Sequence, residues 1–321
     1  KFGIKCNRED WDNFNLRRFI SYFAFLYHSF ILIKKIRPEI IHVHAVELGF
    51  LVSFWARLFG IPLILTCHSI LFPYNDKNFL LRTIELFLLK LGMFSKIITV
   101  DVTSLKFFEK FQFKDYLFLP VGIDENFIKT NKKENIKLNN KIRFLFVGRL
   151  ELIKGLDYLL NAAKILLNKT NNFEIVIVGN GSHKDRLENI CKKSGLSFYI
   201  KFLGAIYERE KLKRIYESAD VFVMPSLREW CPTVILEAWA TGLAVITTNA
   251  SSIAAICSNF ENVILIPPKD ELALSNAMLI LIEDARLREV IAKNGKEIVQ
   301  QNFSYNMINR KIEGIYSQFY Y

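Results

Sequence analysis

The chain has 321 residues, of which 51% are hydrophobic and 23% charged, and its formal net charge is +11. This composition predicts a globular protein of about two domains and excludes a disordered chain. The five cysteines lie far apart without a Cys-x-x-Cys pair, which argues against zinc and favours a reduced, cytosolic compartment. The positive charge suits an anionic partner such as a nucleotide phosphate or an acidic membrane surface, and a generally basic surface is the alternative for most of these lysines. The lysines and arginines are scattered without dense basic runs, which argues against nucleic acid.

The first part of the chain predicts a helix at 11–36 and then short apolar strands that alternate with helices. Its apolar stretch Phe19–Ile33 is too short and too polar for a membrane span. The next three helices are predicted near 47–58, 78–93 and 103–111. The strands are predicted at Glu39–His44, Pro62–His68, Lys96–Asp101 and Tyr116–Pro120. Continuous apolar strands separated by helices are typical of a parallel sheet covered on both faces.

A polar segment at 130–140 predicts an exposed linker, and a second alternating series follows it. The predicted strands of this series are Arg143–Val147, Phe173–Val178, Tyr199–Leu203, Val221–Met224, Ala244–Thr248 and Val263–Ile266. The predicted helices lie near 155–168, 184–194, 208–218, 233–241, 270–282 and 286–301, with a last one at 305–320.

These patterns predict an α/β protein with two doubly wound, Rossmann-like domains that face a ligand cleft. We assign 1–129 to the first domain, 141–302 to the second, and 303–321 to a helix that returns toward the first. The chain begins with Lys1 in residues typical of the middle of a domain. We therefore expect the first domain to be incomplete at its N-terminus.

Two carboxylates stand out around the predicted helix 233–241. Glu237 is the one charged residue in an otherwise apolar helix, and Glu229 precedes that helix at the carboxyl end of a predicted strand. A buried carboxylate needs donors, which an arginine, a lysine or ligand hydroxyls could supply. Together with the N-terminus of the helix, the two carboxylates favour a phosphorylated, polyhydroxylated ligand such as a nucleotide sugar.

Two further loops follow predicted strands of the second domain. Gly148 permits close backbone approach, and the cations Arg149 and Lys154 follow it, which favours binding of a diphosphate. Surface cations without a ligand are the alternative. Gly179 lies in a turn that lacks the third glycine of a dinucleotide fingerprint, so a turn that lines a nucleotide pocket is an equal alternative.

Histidines mark the ends of two strands in the first domain. His42 lies inside a strand and is expected to be a hydrogen-bonded core residue, whereas His44 and His68 lie at strand ends. His68 is placed to orient or deprotonate an acceptor hydroxyl. No third ligand at metal spacing accompanies these histidines, so no metal site is expected.

In their order and spacing these motifs resemble the family-4 glycosyltransferases of the GT-B fold. Glu229 to Glu237 matches the family's Glu-x7-Glu signature, and Gly148–Gly155 matches its phosphate loop. Pro120–Asp124 and Phe303–Ser304 match the segments at the interdomain crossing. The resemblance departs at Trp230–Thr233, where the family commonly has a glycine-rich turn.

The resemblance implies a retaining transfer of sugar from a nucleotide diphosphate to a hydroxyl of a glycan or lipid-linked glycan, without metal or cofactor. A UDP-sugar donor is favoured over a GDP-sugar. Glu237 would bind the ribose. The implied catalytic residues are Arg149, Lys154, Glu229 and His68. The implied donor-binding residues are Gly148, Gly179, Trp230, Cys231, Pro232, Thr233, Val234 and Glu237.

Other functions remain open. A sugar-nucleotide epimerase of the GT-B fold and a truncated relative that only binds nucleotide are alternatives, and an oxidoreductase is a more distant one. The aromatic and basic segment Arg17–Tyr27, followed by Lys34 and Lys35, could lie on an anionic membrane at the inner face. The alternative is a helix packed on the first sheet.

Overall fold

The computed structural model describes residues 16–68, 79–128, 141–229, 233–250 and 256–320. Of these, the residues within Lys1–Leu119 and Ile312–Tyr321 form one compact unit, and those within Pro120–Lys311 form a second. The predicted linker 130–140 and the predicted helix start at residue 11 lie outside the described residues. The domain limits assigned from the sequence therefore stay predictions.

The first unit contains a parallel sheet covered by helices. Its described strands are β1 (Ile41–Val43), β2 (Leu63–Cys67), β3 (Lys96–Thr99) and β4 (Tyr116–Phe118). Its first helices are α1 (Leu16–Ile36), α2 (Val46–Leu58), α3 (Phe79–Leu91) and α4 (Val102–Lys110). The four strands follow one another in chain order across the sheet, which is the pattern of right-handed crossovers that all wind in one direction.

The second unit contains a six-stranded parallel sheet. Its strands are β5 (Ile142–Val147), β6 (Phe173–Val178), β7 (Ile200–Gly204), β8 (Val221–Met224), β9 (Ala244–Thr248) and β10 (Ile264–Ile266). Its helices are α5 (Glu125–Ile128), α6 (Leu156–Leu167), α7 (Lys184–Lys193), α8 (Arg209–Glu217), α9 (Thr233–Ala240), α10 (Glu271–Glu283) and α11 (Ala285–Asn302), followed by α12 (Tyr305–Tyr316), whose end belongs to the first unit. The strand order β10-β9-β8-β5-β6-β7 confirms the predicted doubly wound sheet.

Helix α9 lies in the core of the second unit, as its apolar sequence predicts. Trp239 is fully buried, and its indole nitrogen donates to the carbonyl of Asn262 at 3.0 Å. Gly295 of α11 lies directly against this indole, because a Cβ there would be 2.2 Å from the Trp239 ring. The close approach of the two helices fixes the position of α9 in the core.

The segments Pro120–Asp124 and Phe303–Ser304, which both resemble the crossing segments of the family, pair with each other within the second unit. The amide of Ile123 donates to the carbonyl of Phe303 at 2.7 Å, and the amide of Tyr305 donates to the carbonyl of Ile123 at 3.0 Å. This short parallel bridge ties the start of the unit to the start of α12. No helix among the described residues is long and apolar enough to cross a membrane.

Candidate functional site

The second sheet reverses its winding between β5 and β8, since β6 and β7 lie on one side of β5 and β8 to β10 on the other. In open parallel sheets, ligands bind at the carboxyl ends of the strands at such a reversal. The segments Gly148–Gly155 and Pro225–Glu229 follow these two strands. The fold therefore brings the two predicted loops to the same edge of the sheet.

Two glycines allow the loops after β5, β6 and β8 to touch one another through their backbones. Gly179 has a φ of 145°, and a Cβ there would lie 1.8 Å from the carbonyl oxygen of Gly148. Gly155 has a φ of 68°, and a Cβ there would lie 2.0 Å from the carbonyl oxygen of Pro225. Only glycine fits at either position. The loops after β5, β6 and β8 thus form one continuous backbone surface.

An ion pair joins the loop after β5 to the loop after β8. Lys154 ends a 3₁₀ turn, and its Nζ donates to Oε1 of Glu229. The hydroxyl of Ser226 donates to the same oxygen at 2.9 Å. The Lys154 and Glu229 side chains are only 18% and 10% exposed, so solvent screens the pair weakly. The second oxygen, Oε2, has no donor among the described residues.

Arg149 occupies the more open side of the same loop. Its side chain is 50% exposed, and Nη1 lies 2.8 Å from Oε1 of Glu151. An exposed pair of this kind contributes little to stability, so the guanidinium can exchange this neighbour for a phosphate at small cost. The loop therefore carries one enclosed ammonium group and one accessible guanidinium group.

Glu237 is the partly buried carboxylate of α9, and a tyrosine holds it. The hydroxyl of Tyr216, which is fully buried in α8, donates to Oε2 of Glu237 at 3.0 Å. No lysine or arginine nitrogen of the described chain lies within 4.0 Å of this carboxylate, so it is not neutralised there by a direct ion pair. Its Oε1 likewise has no donor in the described part.

The surroundings of Glu237 act on its pKa in opposite directions. Burial raises the pKa, whereas the Tyr216 hydrogen bond and the positive charge of Arg209 lower it. Burial, and then the neighbouring Glu237 charge, raise the pKa of Tyr216 well above its usual value, so the phenol stays a donor. Arg209 lies over the Phe127 ring at 5.3 Å and 3.8 Å from Asp124.

In the first unit, His42 is confirmed as a hydrogen-bonded, half-buried residue. Its Nδ1 lies 2.6 Å from the hydroxyl of Tyr316 and its Nε2 lies 2.7 Å from that of Thr66. Burial, together with the nearby histidines, lowers the pKa of His42 to about 4. The ring is therefore neutral at physiological pH and connects the end of α12 to the first sheet.

His44 and His68 lie at the carboxyl ends of β1 and β2, where both side chains are exposed. Nδ1 of His44 is 3.1 Å from Nε2 of His68, and the rings are stacked with centroids 5.3 Å apart. The exposed His68 ring is still partly desolvated by its neighbours, and this partial desolvation, followed by the His44 charge, lowers the pKa of His68. A neutral His68 can accept a proton through Nδ1, the nitrogen that does not face His44.

The fold thus gathers most of the predicted site residues of the second unit at one sheet edge. Gly148, Arg149, Lys154, Gly179 and Glu229 lie in the joined loops, and Thr233, Val234 and Glu237 lie in the helix that follows. His68 belongs to the first unit. Trp230, Cys231 and Pro232 lie outside the described residues. Among the residues that the structure describes, no group of three or more His, Cys, Asp or Glu is arranged to hold a metal ion.

The sequence did not predict two of the polar groups that hold the carboxylates. Ser226 follows β8 and is fully buried, and its position before Glu229 was the one available signal. Tyr216 carried no signal, because an aromatic residue on an amphipathic helix is most often part of the core. Its hydroxyl becomes informative only when the fold brings it to Glu237.

Comparison with known proteins assigns the chain to a family. The model of the group 1 glycosyl transferases matches residues 127–298, and that of glycosyltransferase family 4 matches residues 6–127. A sucrose-phosphate synthase structure from Thermosynechococcus elongatus superposes with a TM-score of 0.83 at 21% identity, covering 98% of this chain and 80% of that one. This likeness confirms the predicted GT-B fold.

Two curated relatives match most of the chain. The UDP-Gal:alpha-D-GlcNAc-diphosphoundecaprenol alpha-1,3-galactosyltransferase of Escherichia coli is 29% identical over 89% of this chain and 76% of its own length. The N,N'-diacetylbacillosaminyl-diphospho-undecaprenol alpha-1,3-N-acetylgalactosaminyltransferase of Campylobacter jejuni is 24% identical over 98% of this chain and 86% of its own. The chain spans about half the length of other curated relatives, 44% and 52% in two cases. By its family models and its fold, the chain belongs to the group 1 glycosyltransferases of family 4.

Proposed function

We propose that the chain carries the site of a retaining glycosyltransferase that moves a hexose from a UDP-sugar to a sugar on a diphosphoundecaprenol lipid. The observation that carries this proposal is the Lys154–Glu229 pair, which places a cation and a carboxylate together at the reversal point of the second sheet. The E. coli and C. jejuni relatives have acceptors of this lipid class. Both of their names specify an alpha-1,3 linkage. The E. coli enzyme uses UDP-Gal, whose sugar is also α-linked, so its product retains the donor configuration.

In the proposed reaction, the bond between the anomeric carbon and the diphosphate oxygen breaks, and its electron pair leaves with UDP. Arg149 and Lys154 stabilise the negative charge that develops on the leaving diphosphate, without a metal ion. The acceptor oxygen bonds to the anomeric carbon on the face from which UDP leaves. By the family resemblance, the proton of the acceptor hydroxyl goes to Nδ1 of His68, whose lowered pKa keeps the imidazole neutral.

The two carboxylates hold the hydroxyl groups of the donor in this proposal. Glu229 Oε1 is occupied by Lys154 and Ser226, and its Oε2 accepts from the transferred sugar. Glu237 Oε2 is occupied by Tyr216, and the carboxylate accepts from the ribose hydroxyls through Oε1. Gly148 and Gly179 let the diphosphate approach the backbone closely. The first residues of α9, Thr233 and Val234, offer amide groups that lack helix partners.

An assay with purified protein, UDP-galactose and a GlcNAc-diphosphoundecaprenol acceptor tests this function. We expect UDP release that depends on the acceptor, an α-linked product and full activity in the presence of a metal chelator. Release of UDP with an isomerised sugar and no acceptor would instead identify an epimerase. Binding of UDP without transfer or hydrolysis would identify a relative that only binds nucleotide.

We also propose that α1 contacts the membrane in which such an acceptor lies, on the cytoplasmic face. One side of α1 packs on α2, where the rings of Phe30 and Trp55 have centroids 4.8 Å apart. The other side exposes an apolar stripe, and the last turn carries two cations. These residues are Phe23, Tyr27, Ile31, Lys34 and Lys35. Aromatic and basic residues on one exposed helix face suit an anionic lipid surface.

Sedimentation with vesicles that contain anionic lipid tests this contact. We expect the wild-type protein to bind, and Tyr27→Glu to weaken binding on the order of tenfold, because a carboxylate replaces an exposed ring that would insert into the lipid surface. Tyr207→Glu is the matched control, since Tyr207 is 92% exposed and lies in the second unit. Absence of wild-type binding, or equal losses in both variants, would reject the membrane contact.

A further inference from the structure

Tyr216 is buried too deeply to contact a ligand, yet its one polar atom points to the candidate site. The side chain is fully buried, and its ring packs against Phe222 with centroids 5.9 Å apart. The hydroxyl donates to Oε2 of Glu237 at 3.0 Å. It also lies 3.5 Å from the carbonyl of Val234, which precedes Glu237 by about one turn of α9. A phenylalanine would fill the same space, so the packing does not require the hydroxyl.

We propose that Tyr216 is a positioning residue, which orients the Glu237 carboxylate toward the nucleotide ribose by bonding its Oε2 and leaving Oε1 for the ligand. This inference rests on the proposed function, because Glu237 is the ribose ligand only if the site binds a sugar nucleotide. The Tyr216 hydroxyl comes from a ring held in the core, and it donates to one oxygen of the carboxylate, Oε2. This bond restricts rotation of the Glu237 carboxylate. A carboxylate held in one orientation binds two vicinal hydroxyls better than one that rotates.

The same hydrogen bond opposes protonation of Glu237. Burial raises the pKa of this carboxyl group. The Tyr216 hydrogen bond lowers it, and the positive charge of Arg209 lowers it to a smaller extent. The elements packed on α9 also include α5, which carries Glu125, and α11. The charged residues of α11 are Arg286, Arg288, Glu289, Lys293, Lys296 and Glu297. The charge that lowers the pKa of Glu237 is that of Arg209 on α8. A protonated Glu237 would accept ribose hydroxyls less well, so affinity should fall with falling pH.

Calorimetric titration with UDP between about pH 5 and pH 8, in wild type and Tyr216→Phe, tests the inference. We expect Tyr216→Phe to weaken UDP binding on the order of tenfold, with the larger loss at the acid end, because the pKa of Glu237 rises when its donor is removed. Tyr199→Phe is the matched control, since Tyr199 stacks on Phe173 in the same unit, away from Glu237. It should leave the affinity and its pH dependence unchanged.

A Glu237→Gln background separates positioning from packing. In this background, Tyr216→Phe should no longer change how UDP affinity depends on pH. If Tyr216 acted only through packing, its substitution would weaken UDP binding in this background as well. Carboxyl carbon NMR of the ligand-free protein gives a second readout, in which Tyr216→Phe should raise the pKa of Glu237. An unchanged pKa together with pH-independent binding would overturn the inference. Failure of the wild-type protein to bind any nucleotide would instead contradict the proposed function and leave the NMR result to decide the role of Tyr216.

Discussion

Lys154→Ala is expected to lower the turnover number of sugar transfer by about 10²–10³-fold. Lys154 is the enclosed cation of the loop after β5, with only 18% of its side chain exposed. A charge in such a site stabilises a developing negative charge more strongly than one in water does. Steady-state kinetics with a UDP-sugar and a lipid-linked acceptor measure the effect. Lys164→Ala, on the exposed side of α6, is the control and should leave the turnover number unchanged.

Removal of Lys154 also leaves Glu229 without its cation, so we expect stability to fall as well as activity. The double variant Lys154→Ala/Glu229→Gln distinguishes the two effects, because it removes both charges and keeps an acceptor for Ser226. We expect the midpoint temperature of thermal unfolding to return toward the wild-type value in this variant, while the turnover number stays low. Near-normal turnover in Lys154→Ala, or recovery of turnover in the double variant, would contradict the catalytic role.

Glu237→Gln is expected to weaken UDP binding by roughly 10- to 100-fold, the range for the loss of a hydrogen bond to a charged group. The amide is nearly isosteric and keeps an oxygen for Tyr216, so the fold should be preserved. Calorimetry measures the affinity, and Glu188→Gln on α7 is the control, because its carboxylate pairs with Lys184 at 3.8 Å.

The ligand provides a second control for Glu237. UDP that lacks the ribose hydroxyls should bind wild type as weakly as UDP binds Glu237→Gln, and the substitution should then have little further effect. If Glu237→Gln weakened the binding of both ligands equally, the carboxylate would act on another part of the nucleotide or on the fold, and the ribose role would be wrong.

The sequence predicted the framework of both units well, for a physical reason. All ten predicted strands are found, with ends within two residues of prediction, because buried parallel strands are continuous apolar runs. The short helix Glu125–Ile128 and the 3₁₀ turn Leu152–Lys154 were not predicted, since a single turn carries no period. The final helix ends at Tyr316 rather than at 320 and continues as a 3₁₀ turn.

The partners within the site could not be predicted from spacing. Lys154 and Glu229 were each assigned to the site, but the sequence separates them by 75 residues, and only the strand order brings them together. The sequence left an arginine or lysine open as the partner of Glu237, and the structure gives Tyr216 instead. Such pairings depend on tertiary packing, which local patterns do not encode.

The central claim is that the strand ends at the reversal point of the second sheet hold a sugar nucleotide by its hydroxyls and its diphosphate. A crystal structure of the protein with UDP tests this claim most directly. We predict the diphosphate within hydrogen-bonding distance of Arg149 and Lys154, and the ribose hydroxyls on Glu237. A nucleotide bound elsewhere, or bound here with its ribose turned away from Glu237, would contradict the account.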